Sequence, residues 1–138
     1  MKRILLLIVL LSVLSCKQDV SEADISNLNG YWEIEKVELP DGDKKEYKVN
    51  ETIDFFKIEA NKGFRKKVMP QLDGTYLTND IQEDVVVVVK DGDASIQYKT
   101  TYASWNEEII ELTKGKLVVK NQQEIEYYYK RPAKFSVK

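Results

Sequence analysis

Residues 84–102, DVVVVVKDGDASIQYKTTY, contain the pattern that decides the fold. After the turn signal Asp91-Gly92-Asp93, apolar or amphipathic side chains occupy every second position of 96–102, and polar side chains lie between them. A period of two is typical of a β-strand with one face toward a core and the other toward water. Asp and Gly are residues that tight turns favour. The stretch therefore predicts two antiparallel strands joined by a turn.

The run of valines over 85–89 has no such alternation. A continuous apolar run of this length fits a strand that is covered on both faces. It also fits a strand whose edges must be paired, because an unpaired valine-rich edge favours aggregation. Both interpretations stay open at the level of the sequence.

Similar strand-forming segments recur from residue 29 to residue 132, at the spacing of about 8 to 12 residues that is typical of sandwiches and barrels. The predicted strands are 30–39, 46–49, 52–59, 63–69, 74–78, 84–90, 94–102, 107–113, 116–120 and 124–130. No segment after the leader has a convincing helical period, so the crossover helices of a parallel sheet are missing. Short turns favour an all-β, antiparallel up-and-down β-barrel of about eight to ten strands over a sandwich, because a barrel also removes exposed edges.

Composition excludes several classes of function. The chain has 138 residues, no histidine and a single cysteine, Cys16, so it fits one domain without an internal disulfide. The commonest general base and metal ligand is therefore absent. The paired acids Glu107-Glu108 and the turn acids Asp91 and Asp93 are expected to be solvated rather than catalytic. We predict no enzyme activity, no metal and no cofactor.

The charge balance argues against nucleic acid as a partner. Of the 21 basic residues, Lys2 and Arg3 belong to the leader described below, which leaves 19 against 23 acidic residues in the mature chain. A domain with this charge gains no binding free energy from counterion release at a phosphate backbone. The pairs Lys44-Lys45 and Lys66-Lys67 are expected on solvated faces.

Residues 1–15 have the basic start, apolar run and final small residue of a secretory signal peptide. The apolar run, 4–14, is shorter than the roughly 20 residues that a spanning helix needs. Residues 13–16, VLSC, resemble the bacterial lipobox in the relaxed form seen in Bacteroidetes. That resemblance implies cleavage before Cys16 and acylation of its thiol.

An acylated Cys16 would anchor the protein permanently, because each buried methylene contributes about 0.8 kcal/mol. We therefore expect membrane attachment through the lipid-modified cysteine, in the cell envelope and at the outer membrane of a Gram-negative bacterium. The predicted organisation is a signal peptide over 1–15, a lipidated cysteine with a flexible tether over 16–28, a barrel over 29–132 and a tail over 133–138. The membrane face and the oligomeric state stay open.

Gly30-Tyr31-Trp32 at the start of the first strand resembles the Gly-x-Trp signature that opens lipocalins. In that family the tryptophan closes one end of an eight-stranded barrel, and a basic residue near the last strand lies across its ring. The matching basic residues here are Lys130 and Arg131. The order of segments over 28–132 also resembles small lipocalin-like lipoproteins of flavobacteria.

The resemblance implies binding of a small hydrophobic or amphipathic ligand. Tyr98, Tyr102, Tyr127 and Tyr129 either fill the barrel as core residues or line a ligand cavity at its mouth, since an eight-stranded barrel has room for side chains or for one small ligand. The alternative function is an envelope interaction module, in which a filled barrel binds a protein partner through its outer face or its loops.

Overall fold

The computed structural model of the protein describes residues 17–133. Cys16, the leader 1–15 and residues 134–138 lie outside the described residues, so the predictions for them stay predictions. Between residues 17 and 133 there is no helix with the length and apolar character that a membrane crossing requires. The described elements are the 3-10 helix Glu22–Leu28 and the strands β1 Gly30–Glu38, β2 Lys44–Glu46, β3 Ile53–Glu59, β4 Lys62–Pro70, β5 Tyr76–Leu77, β6 Glu83–Lys90, β7 Asp93–Lys99, β8 Ser104–Leu112, β9 Lys116–Lys120 and β10 Glu126–Lys130.

Eight strands form a closed antiparallel barrel in the order β1-β3-β4-β6-β7-β8-β9-β10, and β10 pairs again with β1. The two short strands β2 and β5 are additions that pair with β1 and β4. Apart from these additions, neighbours in the chain are neighbours in the barrel. The predicted all-β antiparallel up-and-down barrel is therefore confirmed.

The β6–β7 hairpin shows how the valine run fits this barrel. Val85 lies opposite Tyr98, and Val87 lies opposite Ile96. All four side chains are buried, whereas Val88 is 40% exposed on the outer face. The run is thus a normal strand with one face in the core, and it is not covered on both faces. Pairing with β4 and β7 protects both of its edges.

The barrel has a closed end and an open end. Short turns join β3 to β4, β6 to β7 and β8 to β9 at the closed end. At the open end β1 separates from β3, because the two strands pair only through Gly30, Tyr31 and Trp32. The later part of β1, from Lys36 to Glu38, pairs with the short β2 instead. This divergence leaves a gap in the wall near the open end.

The prediction of a flexible tether over 16–28 is wrong for the described residues 17–28. Val20, Ile25 and Leu28 are at most 3% exposed and belong to the same hydrophobic cluster as Trp32. The sequence looked like a spacer because its apolar residues are few and separated by polar ones. They nevertheless suffice to plug the closed end, since each one is inserted into the barrel core.

Backbone and side-chain hydrogen bonds attach this segment to the turns of the closed end. The Gln18 side chain donates to the Leu112 carbonyl at 3.1 Å and accepts from the Leu112 N–H at 2.9 Å. The Val20 N–H donates to the Gly92 carbonyl at 2.9 Å. Asn29 bonds both polar backbone groups of Ile58. The segment is therefore fixed to the closed end of the barrel and is not a free tether.

Leu28→Ala should lower the free energy of unfolding by about 2 to 5 kcal/mol, because it leaves a cavity at a fully buried position. Urea denaturation followed by circular dichroism measures the change. Leu72→Ala is the matched control, because Leu72 is 78% exposed. Equal stability losses for the two variants would show that the N-terminal segment does not seal the barrel.

Candidate ligand site at the open end of the barrel

The indole of Trp32 forms the boundary between the closed end and the rest of the interior. The side chain is fully buried, and its Nε1–H donates to the Leu28 carbonyl at 2.9 Å. The hydrogen bond satisfies the polar atom of a ring that otherwise packs against apolar neighbours. Trp32 is thus held by the N-terminal plug from one side.

Arg131, and not Lys130, covers the ring of Trp32. Its guanidinium carbon lies 3.6 Å from the ring centroid, a cation–π contact. The guanidinium also donates to the carbonyls of Tyr31 and Asn27 at 2.9 and 2.7 Å. Gly30, with φ +105°, leaves room for this arrangement, because an added Cβ would lie only 3.2 Å from Arg131 Nη1. These residues close the barrel.

Three of the four tyrosines singled out from the sequence face the barrel interior. Tyr98 is 2% exposed and stacks on Trp105, with ring centroids 5.3 Å apart. Tyr127 and Tyr129 lie opposite the buried Val119 and Leu117 on β9, and both are partly buried. Tyr98 is therefore a core residue, whereas Tyr127 and Tyr129 remain available to a cavity.

Tyr102 does not face the interior with them and lies instead on the loop between β7 and β8. It is 97% exposed, because β7 ends at Lys99 and the chain then turns toward β8. The Thr100 N–H donates to the Ala103 carbonyl at 2.8 Å and fixes this turn. The alternating pattern continued past the real end of the strand.

The structure also brings charged side chains into the interior, although the sequence predicted none there. Asp54 and Glu107 are buried, at 3% and 7% exposed. Arg65 lies opposite Glu83 across β4 and β6 and forms an ion pair with it. A strict count of alternate positions would have found Asp54, since it shares its face of β3 with the buried Phe56.

Arg65 is the centre of this charged cluster. Its guanidinium carbon lies 4.2 Å from the centroid of the Tyr98 ring. Its Nη1 lies 3.9 Å from Glu107 Oε1, beyond hydrogen-bond distance. The expectation that Glu107 is solvated is therefore wrong. The residue points inward because it lies opposite the buried Ile96 in the β7–β8 pairing.

The burial of Glu107 changes its acidity. Desolvation raises the pKa of its carboxyl above the usual value of 4.5, and the charge of Arg65 and contact with Tyr98 offset this only in part. The nearby carboxylates of Asp54 and Glu83 raise the pKa further. Burial therefore disfavours the charged form of this carboxyl, and the guanidinium of Arg65 does not fully compensate.

A cleft of about 200 Å³ lies between Trp32 and the open end. Its apolar walls include Ile34 and Val37 of β1, next to the aromatic rings of Tyr127 and Tyr129. Its polar wall contains Asp54 and Lys67, whose charged atoms lie 2.5 Å apart. The gap between β1 and β3 leads into this space. Lys67 was expected on a solvated face, and its side chain is indeed 59% exposed, but it reaches back to a buried acid.

Exposed apolar side chains surround the open end. We call them the apolar rim, and each one lies in a connection between strands at that end. Its members are Leu39, Val49, Ile81 and Tyr102, which are 41%, 87%, 76% and 97% exposed. A cleft with polar and aromatic walls thus opens among loops that carry these apolar side chains.

A larger groove of about 580 Å³ lies outside the barrel wall. It runs between the β4–β5 hairpin and the end of the described chain, where Tyr76 and Pro132 line it. Tyr76 stacks on Tyr31 of β1, with centroids 4.1 Å apart, and so holds the hairpin against the wall. This groove contains none of the tyrosines predicted for a ligand.

Comparisons with known proteins agree with this architecture. A family model described as a lipocalin-like domain matches residues 28–119. A lipocalin-like protein from Bacteroides uniformis, of known crystal structure, has a TM-score of 0.50 and 13% identity over 77% of this chain and 99% of its own. An uncharacterized protein from Bacteroides eggerthii has a TM-score of 0.48 and 17% identity over 76% of this chain and 99% of its own. No curated protein matches the chain at a significant level.

Glu107→Gln should stabilise the protein more at pH 7 than at pH 4. A carboxyl whose pKa is raised by folding favours the folded state at low pH, and this contribution is lost as the pH rises from 4.5 through the raised value. Glutamine does not ionise and avoids the loss. Urea denaturation at both pH values measures the difference.

Glu46→Gln, at an exposed position on β2, is the control for the same chemical change. If the effect of Glu107→Gln does not vary with pH, the carboxyl is not desolvated in the folded protein.

Proposed function

Because this chain belongs to the lipocalin-like domain family, we propose that it binds a small amphipathic molecule at the open end of its barrel without catalysis. The observation that carries the proposal is the cleft above Trp32, with Asp54 and Lys67 on one wall and Tyr127 and Tyr129 on another. Ligand sites combine such apolar and aromatic walls with a few convergent polar groups.

The size of the cleft indicates which part of a ligand would lie in the cleft and which part on the apolar rim. At about 200 Å³ the cleft is smaller than the pockets of about 300 to 1,000 Å³ that enclose a drug-sized ligand. It therefore accommodates the polar head of a ligand. The apolar tail would lie against the rim, where Val49 and Ile81 are largely exposed.

We further propose that acylated Cys16 holds this barrel in the cell envelope, at the outer membrane. The support is the basic and apolar pattern of residues 1–14 and the VLSC motif over 13–16. Lys17 forms ion pairs with Asp93 and Glu108 at the closed end. With an anchor on the preceding residue, the closed end would lie near the lipid, and the cleft would open away from it.

A mature domain of residues 17–138, purified from cells, should carry a co-purifying small molecule in native mass spectrometry. Val37→Trp should abolish the adduct, because a large ring at this position fills the cleft. Val88→Trp, on the outer face of β6, should retain it. A bare polypeptide mass for the unsubstituted domain, or an adduct that survives Val37→Trp, would contradict binding in the cleft.

The alternative is an envelope module that binds a protein partner. The outer groove favours it, since its volume of about 580 Å³ and its Tyr76 and Pro132 walls suit an extended apolar segment of another protein. In that case Tyr76→Asp should weaken capture of the partner, while Val37→Trp should leave capture unchanged. The two proposals thus respond to different substitutions.

Cys16→Ser should abolish acylation and release the protein from the membrane fraction, because serine has no thiol to accept the lipid. Incorporation of labelled palmitate and fractionation of cells measure the two effects. Ser12→Ala, within the apolar run of the leader, should leave both unchanged. Membrane retention of the Cys16→Ser protein at the level of the unsubstituted chain would argue against the anchor.

A further inference from the structure

Asp54 is the most buried acid in the described part of the chain, and it faces the cleft. It lies opposite Trp32 on β1 and opposite Lys67 on β4, so its side chain points into the barrel. The side chain is only 4% exposed, and its Oδ1 makes no hydrogen bond of good geometry within residues 17–133. A buried carboxylate is costly unless it is paired, so this position requires a cation or a strong donor.

Lys67 supplies this cation. Its long, flexible side chain lies at the mouth of the cleft. Its Nζ lies 2.5 Å from Asp54 Oδ1, while its side chain is 59% exposed. Rotation about its side-chain bonds would move the ammonium into water, where it is strongly hydrated, once another cation takes its place on the buried acid. The ammonium of Lys67 therefore marks a place that another cation could occupy.

The surroundings of this place favour a positive group. The interior cluster holds the acids Asp54, Glu83 and Glu107 around the single buried base Arg65. The rings of Tyr127 and Tyr129 line the same cleft, and aromatic faces attract cations. A carboxylate or phosphate in the cleft would instead lie beside the buried acid.

We propose that the polar head bound in the cleft is a primary ammonium, which replaces the ammonium of Lys67 on Asp54. This inference rests on the proposed function and specifies the class of its ligand: an amphipathic amine. The ligand's ammonium would donate to Asp54 Oδ1, and its apolar chain would leave the cleft toward the rim. Displaced Lys67 would then lie in solvent.

Three probes with the same alkyl chain test this: decylamine and decanoate below their micellar concentrations, and decanol below its solubility limit. Isothermal titration calorimetry on residues 17–138, the mature chain without Cys16, should give the tightest binding for decylamine. Asp54→Asn should weaken decylamine binding by about tenfold or more, the usual effect of losing a hydrogen bond to a charged group, and leave decanol unchanged. Asp84→Asn, at an exposed acid of β6, should have no effect.

Lys67→Gln provides an independent test, because it removes the competing ammonium and keeps the buried acid. It should strengthen decylamine binding several-fold, and this result remains informative if Asp54→Asn does not fold in a thermal melt. Tighter binding of decanoate than of decylamine, or decylamine affinity that Lys67→Gln does not raise, would overturn the amine assignment alone. Failure of all three probes to bind would overturn the proposed function itself.

Discussion

The position of Trp32 is the constraint on which both ends of the barrel depend. The Nε1–H of its ring donates to the Leu28 carbonyl, and the Arg131 guanidinium covers the ring. The 3-10 helix and the residue after β10 therefore meet on one side chain. The same ring forms the floor of the cleft. Since β1 leaves β3 immediately after Trp32, the wall is complete beneath the ring and open above it. One residue thus separates the filled half of the barrel from the half that contains the cleft.

The charged side chains inside the barrel distinguish it from an ordinary apolar core. An apolar filling of this space would be simpler to fold, because buried charges cost free energy unless they are paired. Arg65 balances Glu83, whereas Asp54 relies on Lys67 from the mouth of the cleft. The interior thus combines one ion pair between partly buried side chains with a second that reaches the mouth of the cleft.

Much of the fold could be predicted from alternation and turn chemistry. The β6–β7 hairpin, the closed barrel and the start of β1 follow from short-range patterns, and such patterns report the strand period directly. The N-terminal segment could not be predicted in this way, since Val20 and Ile25 are isolated apolar residues whose burial depends on a barrel end built by distant strands. The predicted strand 94–102 was too long for the opposite reason, because the alternating pattern continues to Tyr102, beyond the last paired residue of β7.

The sequence by itself determined that the chain forms an antiparallel barrel, that its first strand begins at Gly30, and that it has no histidine and no internal disulfide. Only the tertiary structure decided which charges meet inside the barrel. Asp54, Arg65 and Glu107 belong to different strands, and their sequence neighbours give no sign of their meeting. Strand register brings them together across the barrel, and register is set by all the pairings at once. For the same physical reason, the cleft is a property of the closed sheet and of none of its strands alone.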